Sequence, residues 1–223
     1  MTLLFLSNAI PVRAQTVPDA GASRDYNVAL GFLKKKLYPQ AAARWTKFIQ
    51  TYPKHERLAF ANYYLGVCQF HQKQLPQAAA TFRIVLTKYP KFKNADGAQF
   101  NLALLYGNGL GRTLDRETAR RWFQAAAEQG NVQAQYNLAR MLQSGDGVQA
   151  DVAAARGWYE KAARQDFAPA QNNLALMYLE GQGMPRDRAR AVRWVSRAAA
   201  ARAQRRVVAG GVGRHACRAQ LLQ

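Results

Sequence analysis

The sequence predicts an all-α fold, a right-handed α-solenoid of about five helix-turn-helix repeats. Three observations carry this reading. Trp122, Trp158 and Trp194 are spaced by 36 and 36 residues. Asp115, Asp151 and Asp187 keep that interval, as do Gly109, Gly145 and Gly181, and Gly111, Gly147 and Gly183. Ala98-Gln99, Ala134-Gln135 and Ala170-Gln171 share the register. The preceding segment repeats at 37 residues: Pro39-Gln40-Ala41-Ala42-Ala43 returns as Pro76 to Ala80, and Tyr52-Pro53-Lys54 as Tyr89-Pro90-Lys91. The repeats run from about Asp25 to Ala200.

Each unit reads as two helices. In the first two, Pro39 and Pro76 mark the first position of the second helix, where a missing N–H costs nothing. In the third, Phe100 to Tyr106 form an apolar first helix closed by the turn Gly107 to Gly111, whose glycines supply positive φ. Asp115, Asp151 and Asp187 then cap the second helices, accepting from unpaired N–H groups of the first turn. Each second helix is expected to bury one aromatic ring, at Trp45, Phe82, Trp122, Trp158 or Trp194, with alanines on its close-contact face. Trp158 in particular is expected to be a buried anchor between repeats three to five. Residues 201–223 carry none of the markers; the last helix is expected to run on toward Gly210-Gly211 and give way to a basic, disordered tail.

Residues 25–93 resemble tetratricopeptide repeats: small residues at Ala29 and Gly66, alanines at Ala41 and Ala78, aromatics at Trp45 and Phe82, closing prolines at Pro53 and Pro90. Residues 98–200 resemble Sel-1-like repeats, with the Ala-Gln…Leu-Ala, Gly-x-Gly, Asp and Trp…Ala-Ala elements present in each unit. The domain reading is two tetratricopeptide-like repeats at 24–97 and three Sel-1-like repeats at 98–200. The resemblance implies a non-catalytic scaffold whose concave face holds a protein or peptide. For a bacterial member it implies envelope assembly, signalling or host interaction. Relatives linked to β-lactam binding carry paired cysteines in every repeat; Cys68 and Cys217 are not such pairs, so that activity is not carried over.

The net charge of +19 divides unevenly. Residues 24–97 hold 13 basic and 3 acidic side chains, 98–185 hold 8 and 8, and 186–223 hold 10 and one. Two basic blocks flank a neutral middle, which suits an acidic partner better than a continuous nucleic-acid groove. A basic cytosolic protein that binds nucleic acid or another polyanion is the alternative. No run is apolar and long enough to span a membrane. The N-terminal stretch, with Leu3-Leu4-Phe5-Leu6 and small residues at Val12 and Ala14, reads as a secretory leader over 1–14 that lacks a basic start. A periplasmic or secreted protein is therefore expected.

No catalytic, metal or cofactor site is read from the chain. His55, His71 and His215 have no Cys or carboxylate at ligand spacing, and the repeated Gly-x-Gly follows no strand, so it is a turn and not a phosphate loop. Equivalent first-helix positions fall at Tyr26, Tyr63, Phe100, Tyr136 and Asn172. They are expected to line the binding groove as a ladder, rimmed by Lys34 and His71, eight residues after the first two. The other possibility at these positions is packing against neighbouring helices.

Overall fold

Short stretches with strong stop signals give short antiparallel helices here. A computed structural model describes residues 20–109, 114–201 and 203. The helices are α1 (Ala20–Lys34), α2 (Tyr38–Thr51), α3 (Leu58–His71), α4 (Leu75–Lys88), α5 (Ala95–Gly107), α6 (Arg116–Glu128), α7 (Val132–Ser144), α8 (Val152–Arg164) and α9 (Ala168–Glu180). A tenth, α10, covers residues 188–201. Among the described residues there is no strand. Helices α1 to α9 each pack on their neighbours in chain order, and Ala191 and Trp194 of α10 join the core group of α8 and α9, so the units α1/α2, α3/α4, α5/α6, α7/α8 and α9/α10 stack in chain order. This is an α-solenoid, in which a core exists only because neighbours cover one another. The first helix begins at Ala20, ahead of the Asp25 where the sequence periodicity becomes visible.

The starts and stops follow from the side chains read above. Asp115, Asp151 and Asp187 each accept from the backbone N–H three residues on, at 2.9, 2.8 and 2.8 Å. Pro39 and Pro76 lie at the second helical position, one residue later than the spacing suggested, because Tyr38 and Leu75 are already helical. Their missing N–H still falls among the first four, which have no partner within the helix. Gly145 and Gly181 close α7 and α9 in the left-handed region, at φ 71° and 72°. The second glycine of each turn meets a different demand. A Cβ on Gly147 would lie 2.4 Å from the Cβ of Arg116, and one on Gly183 would lie 3.0 Å from Val152. Each of these glycines lets its turn press against the start of the previous unit's second helix. Gly111 lies outside the described residues, as do the leader at 1–14, Gly210-Gly211, His215 and Cys217.

The expectation that each tryptophan fills the core needs correction. Trp45 and Phe82 are fully buried, but Trp122, Trp158 and Trp194 are only half-buried. The enclosed rings in units three and four are their successors, Phe123 and Tyr159. The reason is helical phase. Ala155, Tyr159, Ala162 and Ala163 are all at 0% exposure, the alanines lying four residues before Tyr159 and three and four after it along α8. That spacing defines the inward stripe, and Trp158, one residue off it, is turned about 100° toward the flank. In the first two units the aromatic falls four residues after the buried Ala41 or Ala78; in units three and four that place belongs to Phe123 and Tyr159, after Ala119 and Ala155. Trp158 instead lies under the Lys161 ammonium, 3.8 Å from its ring centre, and Trp194 under Arg197 at 5.7 Å.

The core runs through the array as three abutting groups, centred on Trp45 and Phe48, on Phe82 and Leu102, and on Tyr159 and Leu174. Cys68 is buried among the first of these, as a small apolar side chain, and burial pushes its thiol up to about 11.

Candidate functional site

The expected ladder falls on one seam of the solenoid. Tyr26 meets Trp45 edge-on at 5.0 Å, Tyr63 lies 6.1 Å from Phe82, Phe100 5.9 Å from Phe123, and Tyr136 5.8 Å from Tyr159. Every first-helix ring thus touches the enclosed ring of its own unit. Tyr26 is buried, while Tyr63, Phe100, Tyr136 and Asn172 are half-buried and keep only an edge at the surface. Burial, with a smaller push from Tyr64, raises the Tyr26 phenol to about 12, against the opposing Arg57 charge. Burial likewise raises Tyr63, with Asp96 adding to it. The ring contacts make the ladder first of all part of the inter-helix seam.

Lys34 and His71 are exposed at the ends of α1 and α3. His71 stacks on Tyr38, with ring centres 4.2 Å apart and planes at 12°. Partial burial, then the charges of Lys73 and Lys36, hold its imidazole below the usual histidine range. Lys36 and Lys73 both occupy the left-handed region, at φ 58° and 63°.

A cleft of about 150 Å³ opens where the end of α5 faces α7. Phe123 and Met141 form part of its wall, and the Arg116–Asp146 ion pair, joining units three and four, closes one side. Asn137, Arg140 and Ser144 supply polar groups, but none is a nucleophile activated by a base. Among the described residues no group of His, Cys, Asp or Glu is arranged to hold a metal. No described helix is long and apolar enough to cross a membrane.

One repeated residue has a role that spacing alone did not reveal. Gln135 and Gln171 are buried and donate to the carbonyl oxygens of Ala127 and Ala163, eight residues back, at 3.1 and 3.0 Å. Gln129 and Gln165 then donate to Gln99 and Gln135 of the preceding first helix, at 2.7 and 2.9 Å. The Ala-Gln pair is therefore a staple: the small residue lets the helices close, and the amide adds a side-chain hydrogen bond to an end-of-helix carbonyl of the preceding helix. The signal was present in the sequence, as a polar residue recurring inside an apolar stripe.

The Sel1 repeat family matches residues 97–131, 132–167 and 168–202. A tetratricopeptide repeat matches residues 60–91. The chain carries a tetratricopeptide repeat followed by three Sel1 repeats. No curated protein matches the chain. Among solved structures, a Sel1 repeat protein from Oxalobacter formigenes is 31% identical over 61% of this chain and 54% of its own, with a TM-score of 0.53. A protein described as c5321, a protective antigen present in uropathogenic Escherichia coli strains, is 33% identical over 70% of this chain, with a TM-score of 0.62. This chain spans 54% of the first structure's length and 32% of the second's. TPR-like repeats of a kinesin light chain from Podosopora anserina, 16% identical, cover 82% of this chain and 96% of theirs with a TM-score of 0.54, which shows the shared solenoid fold. Sel1 and tetratricopeptide repeats are scaffolds that bind protein partners.

Proposed function

We propose that this chain is a scaffold with no chemistry of its own, which holds protein or peptide segments at the envelope of a bacterium. The observation that carries the reading is how its polar groups are divided. The aspartates and glutamines of the repeats at 98–200 are consumed by the array, as caps and as staples. Other polar and charged groups, Lys34, Lys54, His71 and Lys91 among them, lie on open faces, together with exposed apolar side chains such as Leu176, Leu179, Val192 and Val195. A rigid frame with open faces suits recognition of a partner. The half-exposed edges of Tyr63, Phe100 and Tyr136 offer one such face, with Lys34 and His71 at its rim.

Export is supported by the leader-like segment ending at Ala14 and by the similarity to an Escherichia coli protein described as a protective antigen. The test joins place and partner. Fractionation of cells, followed by N-terminal sequencing, should find the protein outside the cytoplasm and beginning at Gln15. Affinity capture from the envelope fraction should return a discrete protein. A cytoplasmic chain retaining Met1, recovered with nucleic acid and released by nuclease, would favour the polyanion reading instead.

A further inference from the structure

A second groove, of about 430 Å³, lies between α8 and α10, on the second helices and away from the aromatic seam. Arg164 reaches it from α8, and Arg190, Arg193 and Arg197 from α10; Trp194 and Tyr178 complete the wall. We propose that this groove binds the carboxylates of an acidic peptide segment. The inference deepens the scaffold reading and rests on it.

The repeat itself supplies the control. The junction between α6 and α8 has the same construction, 36 residues earlier in sequence. There the places of Arg164, Arg190, Arg193 and Arg197 are taken by Glu128, Ala154, Gly157 and Lys161, while tryptophan is kept as Trp158. The fold therefore makes no demand for arginine at these positions. Gly157 carries the point further: a Cβ there would meet nothing within 4 Å, so a side chain at this place in the repeat projects into open space.

Two of the arginines are fixed and two are free. Arg190 pairs with Asp187 at 3.1 Å and lies over the Tyr178 ring at 5.6 Å. Arg197 pairs with Asp166 at 2.9 Å and lies over Trp194 at 5.7 Å. Arg164 and Arg193 make no ion pair or side-chain hydrogen bond among the described residues. The one acid in the groove, Glu160, already faces Arg156 at 3.8 Å. Unpaired guanidinium groups match carboxylates through two parallel N–H···O bonds. Nucleic acid fits less well, because single strands bind by stacking bases on aromatic faces. Here Tyr178 is buried, and both rings are already covered by guanidinium groups.

The test uses the full chain and a fluorescein-labelled hexaglutamate peptide, followed by anisotropy at physiological salt, where screening suppresses loose attraction. Arg164→Ala with Arg193→Ala should weaken binding about tenfold or more, the loss expected when charge-assisted bonds disappear. Both side chains are exposed, so the melting temperature should not move. Lys54→Ala with Lys91→Ala removes the same charge from the first two units and should leave the affinity unchanged. Equal weakening by both pairs, or a hexauridylate oligonucleotide binding as tightly and with the same dependence on Arg164 and Arg193, overturns the proposal. Absence of peptide binding overturns it too, while leaving the scaffold reading to be decided separately by capture from the envelope.

Discussion

Tyr159 and Trp158 are neighbours in sequence with opposite surroundings, and they separate spacing from phase. The Tyr159 ring is enclosed, and its hydroxyl donates to Gln143 at 2.9 Å and accepts from Asn173 at 3.0 Å. Tyr159→Ala should therefore cost roughly 3–5 kcal/mol, from a large cavity and two broken hydrogen bonds. Trp158→Ala, which removes a half-buried ring from the flank, should cost about 1–2 kcal/mol. Urea titration of both variants checks the order; a Trp158 variant as damaged as the Tyr159 variant would contradict the assigned phase. The buried phenols also set an alkaline limit. Tyr26 is raised from 10.0 to about 12, so the folded chain keeps its proton longer than the unfolded chain does. Its contribution is fully present below pH 10 and is lost as the pH rises through about 12. Tyr63 and Tyr159 are raised in the same direction by burial. Stability should fall steeply above pH 10, and Tyr26→Phe should flatten that fall; a flat profile in the unmodified protein would count against the burial of these rings.

At the scale of the element, the helix ends were the most readable part of the sequence. A carboxylate before a helix and a glycine after it are local instructions, and the aspartate caps and the glycines closing α7 and α9 follow them. The first two units are less economical. Their intra-unit turns place lysine in the left-handed region, where a Cβ is crowded against the carbonyl and the cost is about 1–2 kcal/mol. Lys36→Gly and Lys73→Gly should each relieve part of that cost, offset by the wider freedom of glycine in the unfolded chain, for a net gain of about 0.5–1 kcal/mol. Raised urea midpoints with an unchanged slope are the expected outcome, and lower midpoints would contradict the turn geometry. The inward faces were less legible than the ends. An equal spacing of tryptophans is preserved by any helix face, so the period revealed the units without saying which residue points in; the alanines flanking each ring carried that information.

Across the whole molecule, what sequence could reveal depended on repetition. The five units, their order and their connections recur and were legible. The aromatic ladder was legible as an alignment, but alignment cannot distinguish a groove wall from a packing seam, and the contacts with Trp45, Phe82, Phe123 and Tyr159 make it a seam with exposed edges. The arginine groove was hidden because Arg164 and Arg193 come from different units and meet only when α8 and α10 lie side by side. In the linear sequence its α10 arginines merge with the basic block that begins at residue 186. A scaffold that holds a protein partner should be caught holding it inside the cell. A photo-crosslinking residue would replace Val192 on α10 or Leu176 on α9, both exposed and outside the described packing groups. A discrete crosslinked protein, enriched in the envelope fraction, is expected from at least one position. Background crosslinking alone from both positions, in cells where the protein is folded and abundant, would contradict it.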